Sequence, residues 1–235
     1  MQLPAGVESH LLGLDSVASH GSPADASRAL GIALPDALRK AVSKRQYEYL
    51  GGRACAVQAL RAAGWRGEES IGTQAGGAPA WPDGYTGSIA HGAGFAWAVA
   101  AARREGLGLG IDIESIMTDT LALELRGQIL APAELFPARA AGADFATYLT
   151  LVFSAKESLY KCLQPLSGVE LDFPDAECVG LDAGRRHLDF RLCRDVDARF
   201  HAGFELRALL ELRADCVMTA VMVGGTGIEP VASTV

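Results

Sequence analysis

The residue pattern predicts an α+β fold in which a long helix followed by a small antiparallel sheet occurs twice. Three observations carry this. Tyr47, Leu50, Ala54, Val57 and Leu60 recur at helical spacing between Ser43 and Gly64. Leu149, Val152, Phe153, Ser158, Leu159 and Cys162 do the same between Asp144 and Leu163. After each helix come short apolar or alternating runs, bounded by glycine and charged turns, that read as strands. The second half repeats the first loosely, without strong sequence identity. The expected division is 1–108, 109–223 and a patternless tail, 224–235, predicted to be mobile.

Composition narrows the functional classes. The 235 residues suffice for one large or two small domains. The net charge of -7 disfavours a general nucleic-acid role. Five scattered cysteines without a C-x-x-C pair suggest neither a zinc site nor a disulfide framework, and fit a cytoplasmic protein. No stretch of about 18 uncharged apolar residues predicts a membrane span, and the first residues lack a secretory pattern.

Taken in order, residues 1–21 carry little pattern. Ser22-Pro23 and Leu34-Pro35 predict two short helices, because proline suits the first helical turn. Ser43 is placed to cap the first long helix, with Gln46 at the capping-box position. That helix carries Lys44, Arg45, Arg53 and Arg61, which read equally as a solvated basic face or as an anion site. Residues 76–91 form a Pro- and Gly-shaped loop anchored by Trp81, running into a strand from Ser88 to His91. Phe95–Ala100 is its expected hairpin partner.

The run Gly108-Leu109-Gly110-Ile111-Asp112-Ile113-Glu114 follows. Strand alternation puts the apolar residues on one face and Asp112 and Glu114 together on the other. Two carboxylates this close raise each other's pKa unless a cation separates them. Oxygen ligation of this kind suits Mg²⁺ that also holds substrate phosphates; a solvated strand end is the plainer alternative. The glycines do not form G-x-G-x-x-G, so a dinucleotide fold is not expected. Helices are predicted from Thr118 or Asp119 to Arg126, over 132–140, and from Asp144 to Leu163. On the last lie Lys156, Glu157 and Lys161, readable as an i,i+4 surface pair or as a third carboxylate with two phosphate-binding cations. Strands are expected over 188–193, 200–211 and 216–223.

In order and spacing, G-I-D-I-E, F-S-A-K-E-S-L-Y-K, the loop G-x-P-x-W-P-x-G-x-x-G-S-x-x-H and the helix Lys44-Arg45…Gly52-Arg53 resemble the 4′-phosphopantetheinyl transferases. The likeness is to the larger, pseudodimeric class and its enterobactin-synthesis, siderophore type, and it covers about residues 30–165. It implies Mg²⁺-dependent transfer of the 4′-phosphopantetheine arm of coenzyme A to a serine of an apo acyl or peptidyl carrier protein, releasing adenosine 3′,5′-bisphosphate. By the same resemblance, Asp112, Glu114 and Glu157 hold the metal. Glu157, or a water beside it, takes the serine proton. Lys156 and Lys161 neutralise phosphates, Arg53 and Arg45 bind the 3′-phosphate, and Ser88 and His91 lie against coenzyme A. Two fused halves would act as a monomer. Ala78 and Ala90 replace a basic and a hydroxyl residue common in relatives, which motivates the alternative of a non-catalytic coenzyme A- or carrier-binding homologue. A Mg²⁺ phosphohydrolase is the other alternative.

Overall fold

The structure, a computed structural model, describes residues 1–67, 71–74, 77–104, 106–134, 144–182, 184 and 186–224. The chain separates into two compact units, Leu3–Arg104 and Glu105–Val235, the latter with Met1–Gln2. Each is a helix on an antiparallel sheet, so the α+β class holds.

In the first unit, β1 (Glu8–Gly13) leads into α1 (Leu14–Ala18) and α2 (Pro23–Leu30). Ser22 caps α2 as its sequence predicts: its Oγ accepts from Asp25 N, and Asp25 answers with its carboxylate. The helix expected at Leu34-Pro35 shortens to a 3-10 turn, Asp36–Leu38. The long helix α3 spans Ser43–Ala62. Ser43 does not cap it, because the helix begins one residue early. Val42 holds the capping position without a side-chain bond, and Gln46 Nε2 donates instead to Ala41 O at 2.7 Å.

A two-stranded ribbon, β2 (Gly72–Thr73) and β3 (Pro79–Ala80), precedes the hairpin β4 (Tyr85–Gly92) and β5 (Phe95–Ala102). Ala93 and Gly94 both have positive φ, the signature of a tight two-residue hairpin turn. The sheet order is β1-β5-β4, with α3 packed over it. Trp81 does anchor its loop. A Cβ on Gly87 would stand 2.6 Å from the indole, so the ring lies directly on the β4 backbone. Strand β1 left no trace in the sequence pattern because it is an edge strand paired only with β5.

In the second unit, β6 (Gly108–Ser115) is followed by α4 (Asp119–Ile129) and α5 (Phe145–Ser167), then β7 (Ala176–Asp182), β8 (His187–Leu192), β9 (Glu205–Leu212) and β10 (Cys216–Val223). The antiparallel order is β6-β10-β9-β8-β7. Thr118 and Asp144 cap α4 and α5 by accepting from Leu121 N and Thr147 N. The strand expected to start at Phe200 starts at Glu205. Phe200 and Phe204 pack edge-to-face at 5.4 Å in a turn, which imitates an apolar strand in sequence. Pro132–Glu134 is a 3-10 turn; the rest of the expected helix over 132–140, and tail residues 225–235, lie outside the described residues. All five cysteines are free. Among the described residues no helix is long and apolar enough to cross a membrane.

Candidate functional site

One face of β6 builds the centre. Gly108, Gly110, Asp112 and Glu114 alternate onto it, and α5 lies across it. A Cβ on Gly110 would sit 1.8 Å from Ser158 O and 2.6 Å from Cys162 N; one on Gly108 would sit 2.6 Å from Cys162 O. The absent side chains let the α5 backbone rest on the strand. Further along the same face, Lys161 Nζ on α5 donates to Asp112 Oδ1 at 2.7 Å. On β10, Thr219 pairs with Asp112 in register, and its hydroxyl meets Ser154 Oγ at 2.9 Å and Ser158 Oγ at 2.7 Å. This fully buried hydroxyl seam went unnoticed in the sequence because Thr219 lies in an otherwise apolar strand.

The carboxyls of Asp112, Glu114 and Glu157 feel one another. Burial first, then the Asp112 charge and more weakly Glu157, push Glu114 up to about 7 against the pull of Lys161. Burial also raises Glu157, with Lys161 opposing and Asp112 adding. Asp112 Oδ2 is buried and has no hydrogen-bond partner among the described residues. An unmet buried carboxylate oxygen beside two acids whose charge is disfavoured fits a divalent cation, and the all-oxygen donors suit Mg²⁺. No group of three or more His, Cys, Asp and Glu side chains able to hold a metal stands assembled among the described residues. The three carboxylates expected from the motifs are thus not assembled as a metal site among the described residues, and Lys161 holds Oδ1 of Asp112.

Between about pH 4.5 and about 7, the folded protein retains a proton on Glu114 that the unfolded chain releases. The stability from this group is therefore full below the lower value and lost as pH rises through the upper one. Urea midpoints without Mg²⁺ are expected to fall more between pH 5 and pH 8 in the parent protein than in Glu114→Gln. Equal falls would contradict the shift.

Lys156 does not join this centre. It is 0% exposed, and its Nζ donates to Ile129 O, Glu134 Oε2 and Phe173 O at 2.8–2.9 Å. Glu134 also accepts from Ala131 N and Cys178 N. All three ammonium protons are used, so none remains for a phosphate, and the expected catalytic and coenzyme A-binding role is replaced by a buried ion pair tying α5 to α4, β7 and two turns. Lys156→Ala is expected to cost about 3 kcal/mol or more, since it strands the Glu134 charge. A phosphate contact would instead weaken ligand binding and spare the denaturation midpoint.

The first unit holds the other candidates. On α3 and β4, Arg45 Nη1 meets His91 Nε2 at 2.6 Å, and Glu48 lies 3.5 Å from Arg45 and 3.7 Å from His91 Nδ1. Arginine only donates, so His91 Nε2 accepts and its proton faces Glu48. Ser88 is three residues from His91, and alternation in the unbroken β4–β5 register turns it to the opposite, buried face. The structure brings Arg45 and His91 together, with Ser88 on the other face of β4. Arg53 is 5% exposed, and burial lowers its pKa.

Two family models match: the 4′-phosphopantetheinyl transferase N-terminal domain over residues 34–101 and the 4′-phosphopantetheinyl transferase superfamily over residues 108–211. The chain belongs to the 4′-phosphopantetheinyl transferase superfamily. Among relatives, Enterobactin synthase component D of Salmonella typhi is 45% identical over 126 residues, 54% of this chain and 51% of its own length. The 4′-phosphopantetheinyl transferase Svp of Streptomyces mobaraensis is 38% identical over 148 residues, 62% and 59% of the two chains. The 4′-phosphopantetheinyl transferase Npt of Nocardia iowensis is 35% identical over 142 residues, 59% and 61%. The match to the first of these relatives thus spans about half of that relative's length. Within the superfamily model fall Asp112, Glu114, Glu157 and Lys161; within the N-terminal model fall Arg45, Arg53, Ser88 and His91.

Proposed function

We infer that this 4′-phosphopantetheinyl transferase moves the phosphopantetheine arm of coenzyme A to a serine of an apo acyl or peptidyl carrier protein in the cytoplasm, leaving adenosine 3′,5′-bisphosphate. The observation supporting it most is the meeting of Asp112, Glu114 and Glu157 with Lys161 on one face of β6 and α5. Bound to Asp112 and Glu114, with Glu157 beside them, Mg²⁺ would supply charge neutralisation of the pyrophosphate. Lys161, released from Asp112 Oδ1, offsets charge on the transferring phosphoryl group. Glu157, whose charged form burial disfavours, is assigned to take the serine proton. Phosphoryl transfer asks little more of a protein than such positioning and charge compensation. In the other unit, Arg53 is assigned to the 3′-phosphate, and Arg45 with His91 to a further coenzyme A phosphate. The two units are proposed as the halves of a pseudodimer active as a monomer.

Labelling apo carriers with a fluorescent coenzyme A, with and without Mg²⁺, tests this. A siderophore-type carrier leads the panel because relatives bear the name Enterobactin synthase component D. Metal-dependent labelling of a carrier serine is expected. Release of phosphopantetheine without a carrier would replace this reading with a phosphohydrolase, and coenzyme A binding without labelling any carrier would replace it with a binding homologue.

A further inference from the structure

Arg53 has an incomplete set of partners for so buried a cation. Its Nη2 donates to Thr73 Oγ1 at 2.9 Å, and its guanidinium lies 4.8 Å over the Tyr49 ring, one turn earlier on α3. Tyr49 Oη reaches the same Thr73 hydroxyl at 3.4 Å. Nε is buried with no hydrogen-bond partner, and no carboxylate pairs with this arginine among the described residues. A buried guanidinium without a counter-charge, carrying an unmet N–H, is costly.

The arrangement of those protons says what would relieve the cost. Nε–H and Nη2–H point the same way from one edge of the planar guanidinium, the parallel pair that grips an oxyanion at two points. Nη2 rests on a hydroxyl, and Nε has no partner among the described residues. A tetrahedral phosphate monoester taking both protons satisfies Nε. It also turns Thr73 from acceptor to donor, since a hydroxyl serves either way. The Tyr49 ring fixes the plane of the fork, so little freedom is lost on binding.

We propose that Thr73 and Tyr49 are positioning residues that hold the Nε/Nη2 edge of Arg53 ready for a phosphate monoester, with the Thr73 hydroxyl joining as a further donor once the anion is bound. Resting on the assignment of Arg53 to the 3′-phosphate, this makes the exposed residue Thr73 a determinant of preference for 3′-phosphorylated ligands.

Calorimetric titration with coenzyme A and with 3′-dephospho-coenzyme A tests it through the ratio of the two affinities. Thr73→Val, an exposed and nearly isosteric change that spares the fold, is expected to cut that ratio about tenfold. Thr73→Ser is expected to restore it. Tyr49→Leu should lower the ratio and Tyr49→Phe keep most of it, because the ring carries the stacking. If Thr73→Val and Tyr49→Leu keep the parent ratio while Arg53→Gln abolishes it, the positioning role is overturned and the arginine assignment survives. Should Arg53→Gln leave the ratio unchanged as well, the assignment of Arg53 falls and the proposal with it.

Discussion

Asp112→Ala is expected to lower Mg²⁺-dependent carrier labelling about a thousandfold, the equivalent of about 4 kcal/mol of lost transition-state stabilisation. Asp112 is the residue through which the centre is connected. Its Oδ1 holds Lys161, its Oδ2 is buried and unmet, and its charge raises both Glu114 and Glu157. Removing it takes away a carboxylate of the proposed metal site and frees Lys161 from its hydrogen bond. Stability should change little, by about 1 kcal/mol or less. The lost pair involves a lysine that is only part-buried and can return to water, and the loss of an unmet buried oxygen offsets part of the cost. Asp112→Asn, of the same shape, separates charge from packing and should fall nearly as far in activity. Retained turnover in both variants, with Mg²⁺ still required, would remove Asp112 from the proposed centre.

Much of this centre could be read from residue spacing, and the misreadings have geometric causes. On a helix, residues turn by about 100° each, so Glu157 and Lys161 fall about 40° apart on one face. Lys156 falls about 140° from Lys161, which sends it away from β6 and into the pair with Glu134. Grouping the two lysines by chemistry ignored that rotation. Ser88, three residues from His91, likewise stands on the opposite face of its strand. The long helices α3 and α5 were legible because their apolar positions recur over many turns. Strand β1 was not, because an edge strand needs little pattern of its own. The Arg53 environment was hidden for another reason: Thr73 reaches the arginine only through the β2–β3 ribbon, a contact across 20 residues that local periodicity does not encode.

Gly110→Ala carries the other large effect, this time on the fold. The glycines ahead of Asp112 do not form G-x-G-x-x-G, so phosphate binding does not account for them. Their structural reason is close approach: the new methyl carbon would stand 1.8 Å from Ser158 O and 2.6 Å from Cys162 N, both backbone atoms of α5. A side chain could swing aside, but a helix backbone moves only as a body, and this one is held by the hydroxyls of Ser154 and Ser158 on Thr219 and by the Lys156–Glu134 pair. Overpacking of a well-packed core costs about 1–3 kcal/mol and sometimes more; with no flexible neighbour to yield, the expected loss is about 4 kcal/mol, read as a shift in urea midpoint. Gly127→Ala in α4 is the control, since its Cβ meets nothing within 4 Å and alanine favours a helix by about 1 kcal/mol. A small loss at Gly110 would mean that α5 can lift from β6 at little cost, and the same lift would draw Glu157 and Lys161 away from Asp112. The two measurements are therefore coupled: whatever stability Gly110→Ala retains, its labelling activity should fall further than the folded fraction alone accounts for.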